Sequence, residues 1–63
     1  MPVVTVDLLP GASREQKAAV VKDITDSLVT RLGKKPESVN VIFREVAAED
    51  WGFAGTLLDA PKG

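Results

Sequence analysis

The chain contains no cysteine, no histidine and no tyrosine, and it has one tryptophan, two phenylalanines and one methionine. Without cysteine there can be neither disulfides nor thiolate metal sites. Without histidine the commonest transition-metal ligand and the usual general base at neutral pH are missing. Neither a metal nor a cofactor is expected. Long apolar runs are also lacking: none approaches the roughly 18 residues of a membrane span. The N-terminus shows no basic region followed by an apolar stretch of the kind that directs secretion. Neither sign of charge dominates, since eight Lys and Arg stand against nine Asp and Glu for a formal net charge of −1. No basic block occurs, so neither nucleic acid nor a membrane is expected as a partner. The expected location is the cytoplasm.

What is present is small and apolar. A chain of 63 residues, 44% of them hydrophobic, makes one domain. Chains this short bury too little of their surface to be comfortably stable alone, and they usually add disulfides, a metal or oligomerisation. Only the last is open here, so assembly with copies of itself is expected.

Pro2-Val3-Val4-Thr5-Val6-Asp7-Leu8-Leu9 is rich in β-branched residues and reads as a strand, with Val4, Val6 and Leu8 on one face. Pro10-Gly11 breaks it. Ser13-Arg14-Glu15-Gln16 is a capping-box pattern, which predicts a helix running to about Leu32. Val21, Ile24, Leu28 and Leu32 fall on one helical stripe, while Lys17, Lys22, Asp23, Asp26 and Arg31 lie largely off it. Gly33 suits the position just after the helix, and Pro36 prevents continuation. Residues 39–46 read as a second strand, with Asn40, Ile42, Arg44 and Val46 on one face. Strand, helix, strand is the minimal β-α-β unit, with parallel strands. Its two open edges call for another copy. The segment Trp51-Gly52-Phe53-Ala54-Gly55-Thr56-Leu57-Leu58 is too apolar for a solvated tail. It reads as a short hairpin or arm that packs on a neighbouring subunit, leaving 59–63 as a free tail.

Pro2 follows Met1 directly. Proline is small enough for Met1 to be removed, which would leave a secondary amine as the N-terminus. A terminal α-amino group ordinarily titrates at roughly pH 8, and an apolar surrounding lowers that value toward the range of an effective base. If Met1 stays, Pro2 is an internal amide and this chemistry is closed. The plain alternative is that Pro2 only starts a strand, where its missing N–H is harmless.

The opening Pro2-Val3-Val4, Gly11 before a capped helix, Glu15-Gln16-Lys17 at its start, Ser38-Val39 leading into the second strand, and Trp51-Gly52-Phe53-Ala54-Gly55 occur in order. Together they resemble the 4-oxalocrotonate tautomerase family over about residues 2–58. The resemblance implies an α/β (α+β) fold, a single β-α-β unit with a short C-terminal hairpin. It implies hexamers built as trimers of dimers, each dimer forming a four-stranded sheet. It also implies a cofactor-free isomerase in which the terminal proline moves a proton between carbons of a small unsaturated 2-oxo or 2-hydroxy acid. On that pattern Pro2 is the catalytic proline, Trp51 the pocket aromatic and Leu9 a pocket wall. Val3, Val4, Leu9, Trp51 and Phe53 would make the proline's surroundings apolar if subunits assemble. The family's two carboxylate-binding arginines, however, are replaced by Ala12 and Asn40.

Arg14 and Arg44 are the candidates to replace them, because a guanidinium fork binds a carboxylate through two hydrogen bonds. Asn40 is a candidate to polarise a substrate oxygen. Each also has an ordinary reading: the arginines as surface charges, Asn40 as a backbone cap, and Trp51 as an interface anchor. Amides at Ser13–Glu15 could receive an anion. Two further functions stay open at this point. A hydratase, dehalogenase or decarboxylase on the same proline would need an acid such as Glu45, Glu49 or Asp50 to activate water. A non-catalytic subunit of a hetero-oligomer would need no such group.

Overall fold

The computed structural model describes residues 1–61. Strand β1 (Val3–Leu8) leads into helix α1 (Arg14–Leu32), a 3₁₀ turn at Pro36–Ser38 and strand β2 (Asn40–Glu45). A second 3₁₀ turn at Ala48–Asp50 then opens a hairpin of β3 (Gly52–Phe53) and β4 (Thr56–Leu57). β1 and β2 pair in parallel, with Val3 opposite Asn40, Val6 opposite Phe43, Asp7 opposite Arg44 and Leu8 opposite Glu45. The pairing continues beyond both ends: the Asn40 N–H donates to the Pro2 carbonyl, and the Val46 N–H to that of Leu8, both at 2.9 Å.

The helix starts and stops where its side chains dictate. The Ser13 Oγ accepts the Gln16 N–H at 3.1 Å, and the Gln16 Oε1 accepts the Ser13 N–H at 2.8 Å. This reciprocal pair satisfies two otherwise unpaired donors. Gly33 ends the helix at φ 67°, a left-handed conformation that glycine adopts without a Cβ penalty. On the exposed side Lys22 pairs with Asp26 at 2.8 Å, which raises the Lys22 pKa above its usual value by hydrogen bonding and charge attraction.

Strand alternation sorts the sheet into two faces. Val4, Val6, Leu8, Val41 and Phe43 are half-buried, while Val3, Thr5, Asp7, Asn40, Ile42 and Arg44 are exposed. The helix covers the first face. Two departures from the expected stripe stand out. Leu32 is 61% exposed. At 1.5 Å per residue a 19-residue helix runs about 28 Å, against roughly 20 Å for a six-residue strand, so its last turn overhangs the sheet. Lys17, expected off the stripe, lies on it: it is half-buried and reaches Glu45 of β2 at 3.4 Å.

Among the described residues none is fully buried. A helix on two strands has no flanking element, so every core-directed side chain keeps an open side. The radius of gyration is 15.4 Å, against about 11 Å for a compact chain of this length. The accessible surface is 5047 Å², against about 3,900 Å² for a compact protein of 6.7 kDa. In the hairpin, Phe53 beside the turn is 71% exposed. That turn has Ala54 at φ 53° and Gly55 at φ 83°, two left-handed residues in succession as a type I′ turn requires. The tail expected at 59–63 extends outside the described residues at 62 and 63; within them, the Ala60 N–H donates to the Leu57 carbonyl at 3.0 Å.

Candidate functional site

Pro2 is half-buried just before β1, its carbonyl held by Asn40, and Met1 projects beyond it, 89% exposed. Asn40 is therefore Pro2's neighbour across the sheet. Its side-chain amide is engaged, donating to the Ser38 carbonyl at 3.2 Å.

The cations lie at the other end of the sheet and on opposite faces. On the helix-covered face, Arg14, Lys17, Ala18, Val21 and Phe43 line an open depression of about 410 Å³. On the uncovered face, Asp7, Arg44, Val46, Asp50 and Trp51 line another of about 480 Å³. Consecutive residues of β2 explain the split: Phe43 and Glu45 point one way and Arg44 and Val46 the other. The second 3₁₀ turn brings Asp50 and Trp51 back beside Arg44.

Within one chain these parts do not meet. Pro2 precedes Val6 by four residues and Asp7 by five, which at about 3.3 Å per residue puts it roughly 13–16 Å from the levels of Phe43 and Arg44. Arg14 and Arg44 are separated by the sheet. Trp51 and Phe53 do not join Pro2 in either depression, and Leu9 is exposed at the end of β1. The apolar enclosure of the proline is expected of assembled subunits, and neither depression of the single chain includes Pro2. Of the acids considered for water activation, Glu45 is tied to Lys17, Glu49 is exposed, and Asp50 alone lines a depression. Sequence reading missed Lys17 and Asp7. Lys17 stands four residues before Val21, so it extends the Val21–Ile24–Leu28 stripe, and that spacing was its signal. Asp7 becomes visible only through its register opposite Arg44. No group of three or more metal-ligating side chains occurs among the described residues. Nor is any helix of the described residues long and apolar enough to cross a membrane.

The architecture and its order of elements have close counterparts. A family model described as tautomerase enzyme matches residues 2–60. A protein of Ralstonia nicotianae named as a probable tautomerase is 44% identical, the alignment covering 98% of this chain and 89% of that protein. The 2-hydroxymuconate tautomerase of Comamonas testosteroni is 40% identical over 87% of each chain. The crystal structure of YwhB, a homologue of 4-oxalocrotonate tautomerase, superimposes with a TM-score of 0.89 at 30% identity, covering 97% of this chain and all of that one. The similarity runs through both strands, the helix and the hairpin, and on that extent this chain belongs to the tautomerase family, as an isomerase of the 4-oxalocrotonate tautomerase type.

Proposed function

We propose that the protein, freed of Met1, isomerises a small unsaturated 2-oxo or 2-hydroxy acid, with the Pro2 nitrogen as general base and acid. The observation that carries this reading is the placement of Pro2. Its carbonyl is fixed by Asn40 while Met1 projects into solvent, so removing Met1 leaves a strand-anchored secondary amine without disturbing the sheet. The amine takes a proton from the enol acid and returns it to a different carbon. Arg14 or Arg44 holds the substrate carboxylate, Asn40 polarises the oxygen, and Trp51, Leu9 and Phe53 supply apolar walls. Neither metal nor cofactor enters this chemistry.

Such a site takes its proline from one copy and its cation from another, since the two ends of one sheet are too far apart. The surface in excess of a compact chain, about 1,100 Å², exceeds the roughly 800 Å² that each partner buries in a standard interface. We read the assembly as a homo-oligomer, a hexamer of three dimers with a four-stranded sheet in each. Residues 2–58 form the assembling domain, and the protein acts in the cytoplasm.

The test is ketonisation followed by ultraviolet absorbance with 2-hydroxymuconate, a dianion, and phenylenolpyruvate, a monoanion. The protein is first mass-checked for loss of Met1. Turnover is expected for both, with preference for the monoanion because Ala12 and Asn40 replace two arginines. In Pro2→Ala it should fall at least about 100-fold, the usual range for a positioned acid–base group. Equal turnover by Pro2→Ala would defeat the reading. One observation favours a second activity: Asp50 shares a depression with Arg44 and Trp51, which suits activation of water for hydration of an unsaturated acid. Water addition that disappears in Asp50→Asn would establish it.

A further inference from the structure

We infer that the depression on the helix-covered face is the carboxylate-binding pocket, and that Lys17 is its second cation, restrained by Glu45 until a ligand displaces it. The inference rests on the enol-acid reading for the class of ligand, an amphipathic monocarboxylate. It adds a residue and an exchange of partners that this reading does not contain.

Five observations converge on this pocket. It is lined by Arg14 and Lys17 together with Ala18, Val21 and Phe43, so a charged head and an apolar body both find surroundings. Its volume of about 410 Å³ lies in the range of small-molecule sites. Arg14, like Arg44, makes no ion pair among the described residues, so its guanidinium can donate to a carboxylate. Lys17 is engaged, but weakly. Its ammonium stands 3.4 Å from Glu45, longer than a strong charge-assisted hydrogen bond, and its side chain is 30% exposed. Partly exposed pairs of this kind contribute little and exchange readily. The first turn of α1 adds the positive end of the helix dipole beside both cations.

The other depression makes a poorer anion site. Arg44 shares it with Asp7, its direct partner in register, and with Asp50. Two carboxylates around one guanidinium leave a negative surrounding that repels an incoming acid. On the helix side no carboxylate is among the lining residues, and Glu45, the partner of Lys17, competes with the ligand for that one cation.

Competition gives the two members of the pair opposite effects. Binding of 3-phenylpropionate, which has no enol and cannot turn over, is measured by calorimetry at low salt on the assembled, Met1-free protein. Lys17→Gln should weaken it roughly tenfold by removing a charge-assisted contact. Glu45→Gln should tighten it severalfold by releasing Lys17. Lys17→Arg should bind within about threefold of the parent, since the charge is kept. Raising salt from about 0.02 to 0.2 M should weaken the parent and leave Lys17→Gln less affected. In phenylenolpyruvate turnover, Lys17→Gln should raise KM with kcat nearly unchanged. If the pair only ties α1 to β2, both glutamine variants shift binding in the same direction, and the inference is wrong. It is equally wrong if the parent protein does not bind the probe. Pro2→Ala should bind the probe normally, so loss of turnover with binding intact would count against the proline and not against this pocket.

Discussion

The two depressions lie at the same end of one small sheet and differ in what surrounds the arginine. Beneath the helix, Arg14 and Lys17 share a depression with Ala18, Val21 and Phe43, and the nearby Glu45 carboxylate already has a partner. On the other face, Arg44 stands among Asp7, Asp50 and Trp51. The difference follows from strand geometry, because neighbouring residues of β2 serve opposite faces and so opposite electrostatic environments. It also separates two roles. The uncovered face carries the exposed Val3 and Ile42 beside Asp7 and Arg44. A surface that mixes apolar side chains with charges of both signs is what a second copy would cover. The helix-side depression lies on the face that the chain itself closes.

The largest expected effect tests that division. Ile42→Asp places a charge in the middle of the uncovered face and leaves both depressions chemically intact within the chain. If that face is the contact between copies, sedimentation at about 10 μM should show monomer. Turnover should then fall by two orders of magnitude or more, because within one chain the proline and the cations lie too far apart to act together and the acid–base contribution is lost. An assembled, active Ile42→Asp protein would return the uncovered face to solvent and remove the basis of the division.

A smaller effect compares the arginines directly. Arg14→Ala should raise KM for phenylenolpyruvate about tenfold, the loss of one guanidinium–carboxylate contact at a partly solvated site. Arg44→Ala should change KM less than about threefold and instead weaken assembly, by leaving Asp7 and Asp50 with no cation in their depression once the face is covered. The reverse ranking would make Arg44 the substrate's partner and leave Arg14 a surface charge.

Much of the frame was legible before any coordinates. The capping box at Ser13 and Gln16, the glycine at position 33 and the alternation of β-branched residues in both strands each act within a few residues, where sequence is a direct guide. The hairpin was legible from its apolar, glycine-spaced composition. The two 3₁₀ turns, at Pro36–Ser38 and Ala48–Asp50, were not, although the second brings Trp51 beside Arg44. The candidate site was harder to read for a physical reason. Whether Arg14 and Arg44 share a face depends on the register between elements 30 residues apart and on where a helix start falls relative to a strand end. Lys17 shows how local reading misleads: an ammonium at a stripe position looks misplaced until Glu45 arrives from β2 to receive it.

The smallest prediction concerns the hairpin, the region with least packing of its own. Ala54 holds φ 53°, where an L side chain meets the following carbonyl, at a cost of about 1–2 kcal/mol relative to right-handed backbone. Ala54→Gly removes that cost but gives the unfolded chain more freedom, which returns roughly 0.5–1 kcal/mol. The net should be a gain of about 0.5 kcal/mol and a rise of a few degrees in Tm. Ala54→Asn keeps a side chain that tolerates the left-handed region and should gain a similar amount. Ala54→Val should lose more than either gains, because a β-branched residue resists positive φ. If the arm packs on a neighbouring copy, Ala54→Val should also weaken assembly, since a misdirected turn moves Phe53 and Leu57 out of register. A Tm change without any change in oligomer size would show instead that the hairpin is stabilised within its own chain, and the hairpin contact would have to be removed from the assembly.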